Sequence, residues 1–251
     1  MTSRILETAK LLSNGKHVVA LTGAGISVES GIAPFRGKNG VWERFDPMEY
    51  AHIEAFTENP EKVWREFLIL LKETIDQAVP NKAHKGLAQL EALGLLETVI
   101  TQNVDGLHQM AGNTDVIEFH GTFAAYRCIA CESRLTSSRI DLSHIPPRCK
   151  CGGIFRPECV FFGELIPPHL IRRSEQTATE CDIMLVIGTS AVVQPAALMP
   201  VLAKESGAEI IEINAERTPL TGQVSDLFLE GTAGEIIPRL VEAVQQQMPS
   251  P

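Results

Sequence analysis

No stretch of this chain approaches the roughly 20 consecutive apolar residues of a membrane-spanning helix. The first residues, MTSRILETAKLL, lack the basic start, apolar run and small-residue cleavage site of a secretory signal. A soluble, cytoplasmic protein is therefore expected. A surplus of positive charge is missing too. The formal charge is -9, which offers no field for a phosphate backbone, so nucleic acid is not expected as a direct ligand, whereas a lysine-rich peptide or protein would be attracted. No G-x-x-x-x-G-K-S/T sequence occurs, since Lys38 follows Gly37 but precedes Asn39, and Walker-type nucleotide binding is set aside. Internal repeats and low-complexity tracts are absent, and only the tail QQQMPSP is expected to fray.

What is present is apolar content of 44% over 251 residues, enough for a sizeable core and a small second module. The runs KHVVALT, LETVIT, DVIEFHG, CDIMLVIGTS and AEIIEIN each read as a buried strand, with amphipathic stretches between several of them. That alternation predicts an α/β fold, a Rossmann-like parallel sheet with helices on both faces. Three runs end at Gly23, Gly188 and Asn214, so the functional groups are expected at the carboxyl ends of the strands. Two segments break the pattern. Residues 32–80 carry a helix signal, with Asn59 as N-cap and Pro60 at the first helical position before EKVWREFLILLKETIDQAV. Residues 124–158 are short, turn-rich and cysteine-bearing. Both read as insertions forming a smaller module, which leaves 1–31, 81–123 and 159–251 for the sheet domain.

Four of the six cysteines fall in two close pairs, Cys128/Cys131 and Cys149/Cys151. In a reducing compartment this spacing reads as ligands of one metal ion, and four thiolates close a tetrahedral zinc site to water, which makes it structural. One residue separates Cys149 from Cys151, tighter than the usual two; Gly152 and Gly153 would ease the turn, and Cys159 is an alternative ligand. Cys181, at a strand start, is assigned to the core.

Three loops carry polar chemistry. In LTGAGISVESGIAPFRG, Gly23 and Gly25 fill two places of a dinucleotide fingerprint while Val28 stands where the third glycine belongs. Such glycines let backbone approach a pyrophosphate, with a following helix aiming free N–H groups at it; a plain strand-to-helix turn has the same look. TQNVDGLH offers Gln102, Asn103 and Asp105 at a strand end, able to hold a carboxamide and a ribose or to cap the next helix, with His108 in support. DVIEFHG ends on His120, a group suited to general base work near pH 7, beside a glycine expected to leave its ring accessible. The other histidines, His84 among them, have no such setting.

GAGISVESGIAPFRG, TQNVDGLH, the HG after a strand, the two cysteine pairs, RPECVFFGE, GTSAVVQPAA and EIN occur here in the order found in the sirtuins, NAD-dependent protein deacylases. The resemblance runs from about Val18 to Glu235. It implies that Gly23, Ala24, Gly25 and Ser27 line the pyrophosphate and ribose region, and that Phe35 and Arg36 belong to a flexible loop over the reacting sugar. By the same likeness, Gln102, Asn103 and Asp105 hold nicotinamide and its ribose, Gly188, Thr189 and Ser190 contact phosphate and ribose, Asn214 and Glu216 take the adenosine ribose, and Ala233 lies near adenine. His120 would deprotonate a ribose hydroxyl, Asn103 sharing the catalytic site. An acyl-lysine peptide would add as a strand near Val160, Phe162, Gly163 and Glu164 on one side and Val192 and Val193 on the other. NAD is thus implied as a consumed co-substrate, with one structural zinc ion and a monomeric enzyme.

Departures from the family pattern shape the expectation. The run Ala33-Pro34-Phe35-Arg36 has no acidic or hydroxyl residue between proline and FR. Sirtuins that remove acidic acyl groups carry a tyrosine and an arginine three apart after a VW pair; counted from Val63-Trp64, those places hold Phe67 and Leu70. A pocket of Phe67, Leu70 and Leu71 has no guanidinium for a carboxylate, so neutral acyl groups, acetyl or longer, are expected. Alternative readings are a protein mono-ADP-ribosyltransferase using the same NAD site, an NAD-responsive binding protein and, more distantly, a dehydrogenase.

Overall fold

The computed structural model describes residues 2–37 and 40–247. Lys38 and Asn39, cited above against a Walker loop, and the tail from Met248 onward lie outside the described residues. Nine strands are described: β1 (Val18–Thr22), β2 (Thr98–Thr101), β3 (Val116–Glu118), β4 (Gly121–Cys128), β5 (Arg134–Thr136), β6 (Phe155–Cys159), β7 (Ile183–Ile187), β8 (Glu209–Asn214) and β9 (Leu227–Glu230). Six form one parallel sheet in the order β3-β2-β1-β7-β8-β9. All five residues of β1 and of β7 are buried, which is why their sequences are unbroken apolar runs. Val18 and Ala20 join the core on one face while Val19 and Leu21 join that on the other, as the two-residue period of a strand demands. Thr2–Asn14, Lys82–Ala92 and Ala233–Gln247 cover the first face; Pro168–Glu180 and Met199–Glu205 cover the second.

The fifth expected strand is therefore followed by a sixth, β9, that the sequence reading lacked. LFLE is four residues with an exposed last position, too short for periodicity to separate from a loop. The chain order reverses between β1 and β7, and open parallel sheets bind ligands in the crevice outside the strand ends at such a point.

A smaller lobe packs beside this crevice. β5-β4-β6 form an antiparallel sheet, and β4 runs from Gly121, next to His120, through to Cys128. Against it lies a rod made of Pro60–Val63, a π-turn at Trp64–Leu68 and Ile69–Gln77. Asn59 caps the rod as expected, its Oδ1 accepting from Lys62 N at 3.0 Å, with Pro60 at the first position. Phe56, Trp64, Phe67, Tyr126, Phe155 and Phe161 fill the space between, and Trp64 Nε1 donates to Phe155 O at 2.9 Å. The fold is thus α/β, a Rossmann-like sheet carrying a smaller helical and cysteine-bearing lobe. No described helix is long and apolar enough to cross a membrane.

Candidate active site and metal centre

The carboxyl ends of β1, β2, β7 and β8 are cross-linked by their own loops. Gly23 N donates to Ile187 O at 3.0 Å and Gly25 N to Gly188 O at 2.8 Å. A Cβ at Gly25 would meet Gly188 Cα at 2.7 Å, so these glycines let two loops touch. Gln102 Nε2 donates to Thr189 Oγ1 (3.0 Å) and Asn214 Nδ2 to Thr189 O (2.8 Å). The helix after the glycines is a seven-residue 3-10 helix, Ala24–Ser30, in place of the α-helix whose N-terminus was expected.

Beneath the surface lies a buried polar network. Both amide hydrogens of Asn103 are used internally, on Gly23 O and on Ser27 Oγ, each at 3.1 Å. Ser27 Oγ donates to Asp105 Oδ2 at 2.7 Å, and Asp105 Oδ1 accepts at 3.0 Å from Leu107 N, the first residue of the helix Leu107–Ala111. Burial pushes the Asp105 carboxyl up, against the pull of those two bonds. His84 Nε2 lies 3.5 Å from Ser27 Oγ, and His108 Nε2 lies 2.9 Å from Thr22 Oγ1; the two rings meet edge to face at 4.9 Å. Burial lowers His84 to about 4 and His108 to about 3, so both are neutral at pH 7. His84 was passed over in the sequence because NKAHKG carries no motif; only packing brings it under Ser27.

His120 sits two residues beyond the end of β3, in the turn that leads into β4. Its Nδ1 is 3.1 Å from Gln102 O, and since a carbonyl oxygen only accepts, Nδ1 holds the proton and Nε2 keeps its lone pair. Burial lowers the ring below its ordinary value, and the bond to Gln102 opposes this. The adjacent glycine has a different reason from the one expected. Gly121 adopts φ +75° and a Cβ there would meet Glu158 O at 2.0 Å, so it permits β4 to close on β6.

One cavity of about 810 Å³ joins these groups to the smaller lobe. It is lined by Gly23, Ala24, Gly25, Phe35, Arg36, Gln102, Asn103, Gly188, Thr189, Ser190, Asn214, Glu216 and Ala233 among the cofactor candidates, by His120, and by Phe67, Val160, Phe162, Gly163, Glu164 and Val193 among the substrate candidates. Four expected residues stand elsewhere. Ser27 and Asp105 lie below the wall in the network just described, Ser27 being 1% exposed. Val192 is an exposed rim residue, at 51%. Leu70 is 45% exposed and faces away, which corrects the expected pocket. Leu71, the fourth residue after Phe67 and part of the expected pocket, lines the cavity with it. Trp42, missed in the sequence, also lines the cavity and stacks on Phe35 (5.1 Å) and Phe67 (5.8 Å).

Glu164 does not present a free carboxylate. Arg156, 3% exposed on β6, donates from Nη1 and Nη2 to its two oxygens, both at 2.7 Å.

The thiols of Cys128, Cys131, Cys149 and Cys151 lie within 4.8 Å of one another. Neighbouring pairs at 3.6 and 3.7 Å match the edge of about 3.8 Å that a tetrahedron with 2.3 Å zinc–sulfur bonds requires. Ala130 N and Gly153 N point at Cys128 Sγ and Cys151 Sγ, the second-layer bonds thiolate ligands accept. The short Cys149–Cys151 spacing closes through Gly152, at φ +89°, and Gly153, where a Cβ would meet Cys128 Sγ at 2.7 Å. This donor set fits one structural zinc ion. Cys159 is not part of it: paired with Gly121, it sits at the opposite end of β4 from Cys128, roughly 20 Å of strand away, and lines the cavity. Cys181 is buried in the core as expected.

The Sir2 family profile matches residues 23–195. NAD-dependent protein deacylase 2 of Pyrobaculum aerophilum is 46% identical over 244 residues, 97% of either chain. A mutant Sir2 homologue in complex with 2'-O-acetyl ADP ribose is 44% identical and superposes with a TM-score of 0.90 over 96% of this chain. A Sir2 structure with p53 peptide and NAD+ is 36% identical, with a TM-score of 0.85 over 96% of this chain and 98% of that one. A glycine-bearing crevice, a histidine with a bare Nε2, a four-cysteine centre and likeness over nearly the whole length converge, and the chain belongs to the Sir2 family.

Proposed function

We propose that this chain is an NAD-dependent protein lysine deacylase, yielding nicotinamide, free lysine and O-acyl-ADP-ribose. The observation that carries the reading is the single cavity in which the His120 Nε2 lone pair stands between polar strand ends and an apolar recess of Phe67, Leu71 and Phe162. NAD fits this chain's residues: the volume lies in the range of ligand sites, and Asn103, with both amide hydrogens engaged, turns its oxygen from those partners. Bound NAD supplies an electrophilic sugar carbon, which a nucleophile as weak as an amide oxygen needs.

Each residue's part follows from its place. Gln102 and Asn103 hold the nicotinamide end, with Ser27 and Asp105 fixing Asn103 from below. Phe35 and Arg36 cover the reacting sugar, Ala24, Gly188, Thr189 and Ser190 face phosphate and ribose, and Asn214, Glu216 and Ala233 the adenosine end. His120 takes a sugar hydroxyl proton at Nε2, adding about 10²- to 10⁴-fold to a rate set mostly by positioning. The peptide adds as a strand between Val160–Glu164 and Val192–Val193, its acyl chain toward Phe67 and Leu71. Neutral acyl groups suit that recess. Residues 1–31, 81–123 and 159–251 form the NAD-binding part, 32–80 and 124–158 the helical and zinc insertions, and the enzyme acts as a cytoplasmic monomer.

Mass spectrometry of products from acetyl-, butyryl-, myristoyl- and succinyl-lysine peptides with NAD tests the reading. Nicotinamide and soluble acyl-ADP-ribose should form with the neutral acyl groups. ADP-ribose fixed on protein without the soluble product would make the chain a transferase, and fastest turnover of succinyl-lysine would overturn the acyl preference.

A further inference from the structure

We propose that Arg156 is a positioning residue for the acyl-peptide, its guanidinium setting the strand edge Val160–Glu164 on which the peptide docks, with Glu164 serving that clamp and not touching substrate. This rests on the deacylase reading above and assigns a function to a residue that reading leaves out.

The guanidinium makes four hydrogen bonds to three residues of one short segment. It donates to Pro157 O (3.3 Å), to Cys159 O (2.7 Å) and in a two-bond fork to Glu164, whose Oε2 in turn accepts from Phe161 N at 2.9 Å. Its Cζ lies 4.2 Å from the Phe161 ring centroid and 5.8 Å from that of Phe56. A buried arginine is tolerable only when its charge is paired and its donors are met, and a planar fork is the arrangement a lysine cannot copy. The segment needs such a holder. Gly163 turns it at φ +82°, and backbone hydrogen bonds tie its front edge from Val160 N to His120 O and through the exchange of Phe162 with Ala51 and Ile53. Arg156 fixes the back of the same segment at both ends.

Two consequences follow. Both Glu164 oxygens are occupied from within the chain, so a basic residue of the peptide meets a neutralised pair. The bonds of Arg156 all stay inside 157–164, away from β1, β2, β7 and β8, so losing the clamp should touch peptide binding and spare NAD binding.

The test uses the full zinc-loaded chain and three acetyl-lysine peptides alike except for flanking lysine, alanine or glutamate. Wild-type turnover of these peptides is required first; its absence would sink the deacylase reading and leave the clamp to be judged by direct peptide binding. Glu164→Gln keeps the shape and one acceptor oxygen, and Arg156→Lys keeps the charge without the fork. In each, KM for all three peptides should rise about tenfold by the same factor, KM for NAD should move less than twofold, and the double variant should be no worse than either single. Selective loss of the lysine-flanked peptide in Glu164→Gln would show a direct contact and overturn the proposal. An equal rise in both KM values, or none in the peptide's, would overturn it as well.

Discussion

At the scale of single residues, burial sets the charge states. His120 is held below its ordinary pKa by desolvation, so it stays a neutral base when the pH falls under 6.5. The acid limb of the pH–kcat profile is therefore expected below 6.5, and His120→Ala should lower kcat by about 10²- to 10⁴-fold and abolish that limb. A limb centred above 6.5 in wild type would contradict the burial argument. His84 and His108 bear on stability. Their folded values, about 4 and about 3, lie below the unfolded 6.5, so across that window the unfolded chain binds more protons. Their stabilisation is complete above pH 6.5 and is lost as pH falls toward 4 and 3, by about 1 kcal/mol per pH unit for each ring. Thermal melts between pH 7 and 4 should show this fall, and His84→Gln should make it shallower. None of this was legible in the sequence: DVIEFHG singles out His120 by motif, but NKAHKG gives no sign that His84 is sealed beneath Ser27, because contact over 57 residues is decided by packing.

At the scale of elements, the winding of the rod decides which of its side chains line the cavity. Counting along EKVWREFLILLKE offers both Leu70 and Leu71 as neighbours of Phe67; in the rod, which carries a π-turn over Trp64–Leu68, Leu71 lines the cavity and Leu70 is left at 45% exposure. Leu71→Ala should accordingly raise KM for butyryl- and longer acyl-lysine peptides about tenfold, the scale of lost apolar contact in a pocket. Leu70→Ala should change melting by no more than about 0.5 kcal/mol, as exposed positions do, and leave the acyl-length profile as it is. Equal effects at both positions would argue that Leu70 shares the recess with Leu71. The rod's start, in contrast, was plain from Asn59-Pro60, since capping is a local matter of one side-chain oxygen and one missing N–H.

At the scale of the whole molecule, a zinc-braced lobe and a nucleotide-type sheet share one cavity. Both tryptophans, Trp42 and Trp64, belong to the lobe, so intrinsic fluorescence reports on it alone. Zinc removal by a strong chelator should shift that emission toward the red and abolish deacylation, while far-UV circular dichroism keeps most of its signal from the six-stranded sheet and its helices. Unchanged fluorescence in metal-free protein would mean the four thiols do not brace the lobe. The sequence by itself determined five strands of the parallel sheet, the start of the rod, the cysteine quartet and the family, because apolar runs, capping, ligand spacing and ordered motifs are short-range patterns that one chain segment can display. The tertiary structure alone decided that Ser27 and Asp105 lie below the cavity wall, that Gly121 exists for β6, that Cys159 stays off the four-thiol cluster and that Arg156 forks onto Glu164. Each of those depends on which distant segments come within a few ångströms of one another, and that is fixed only when the whole chain packs.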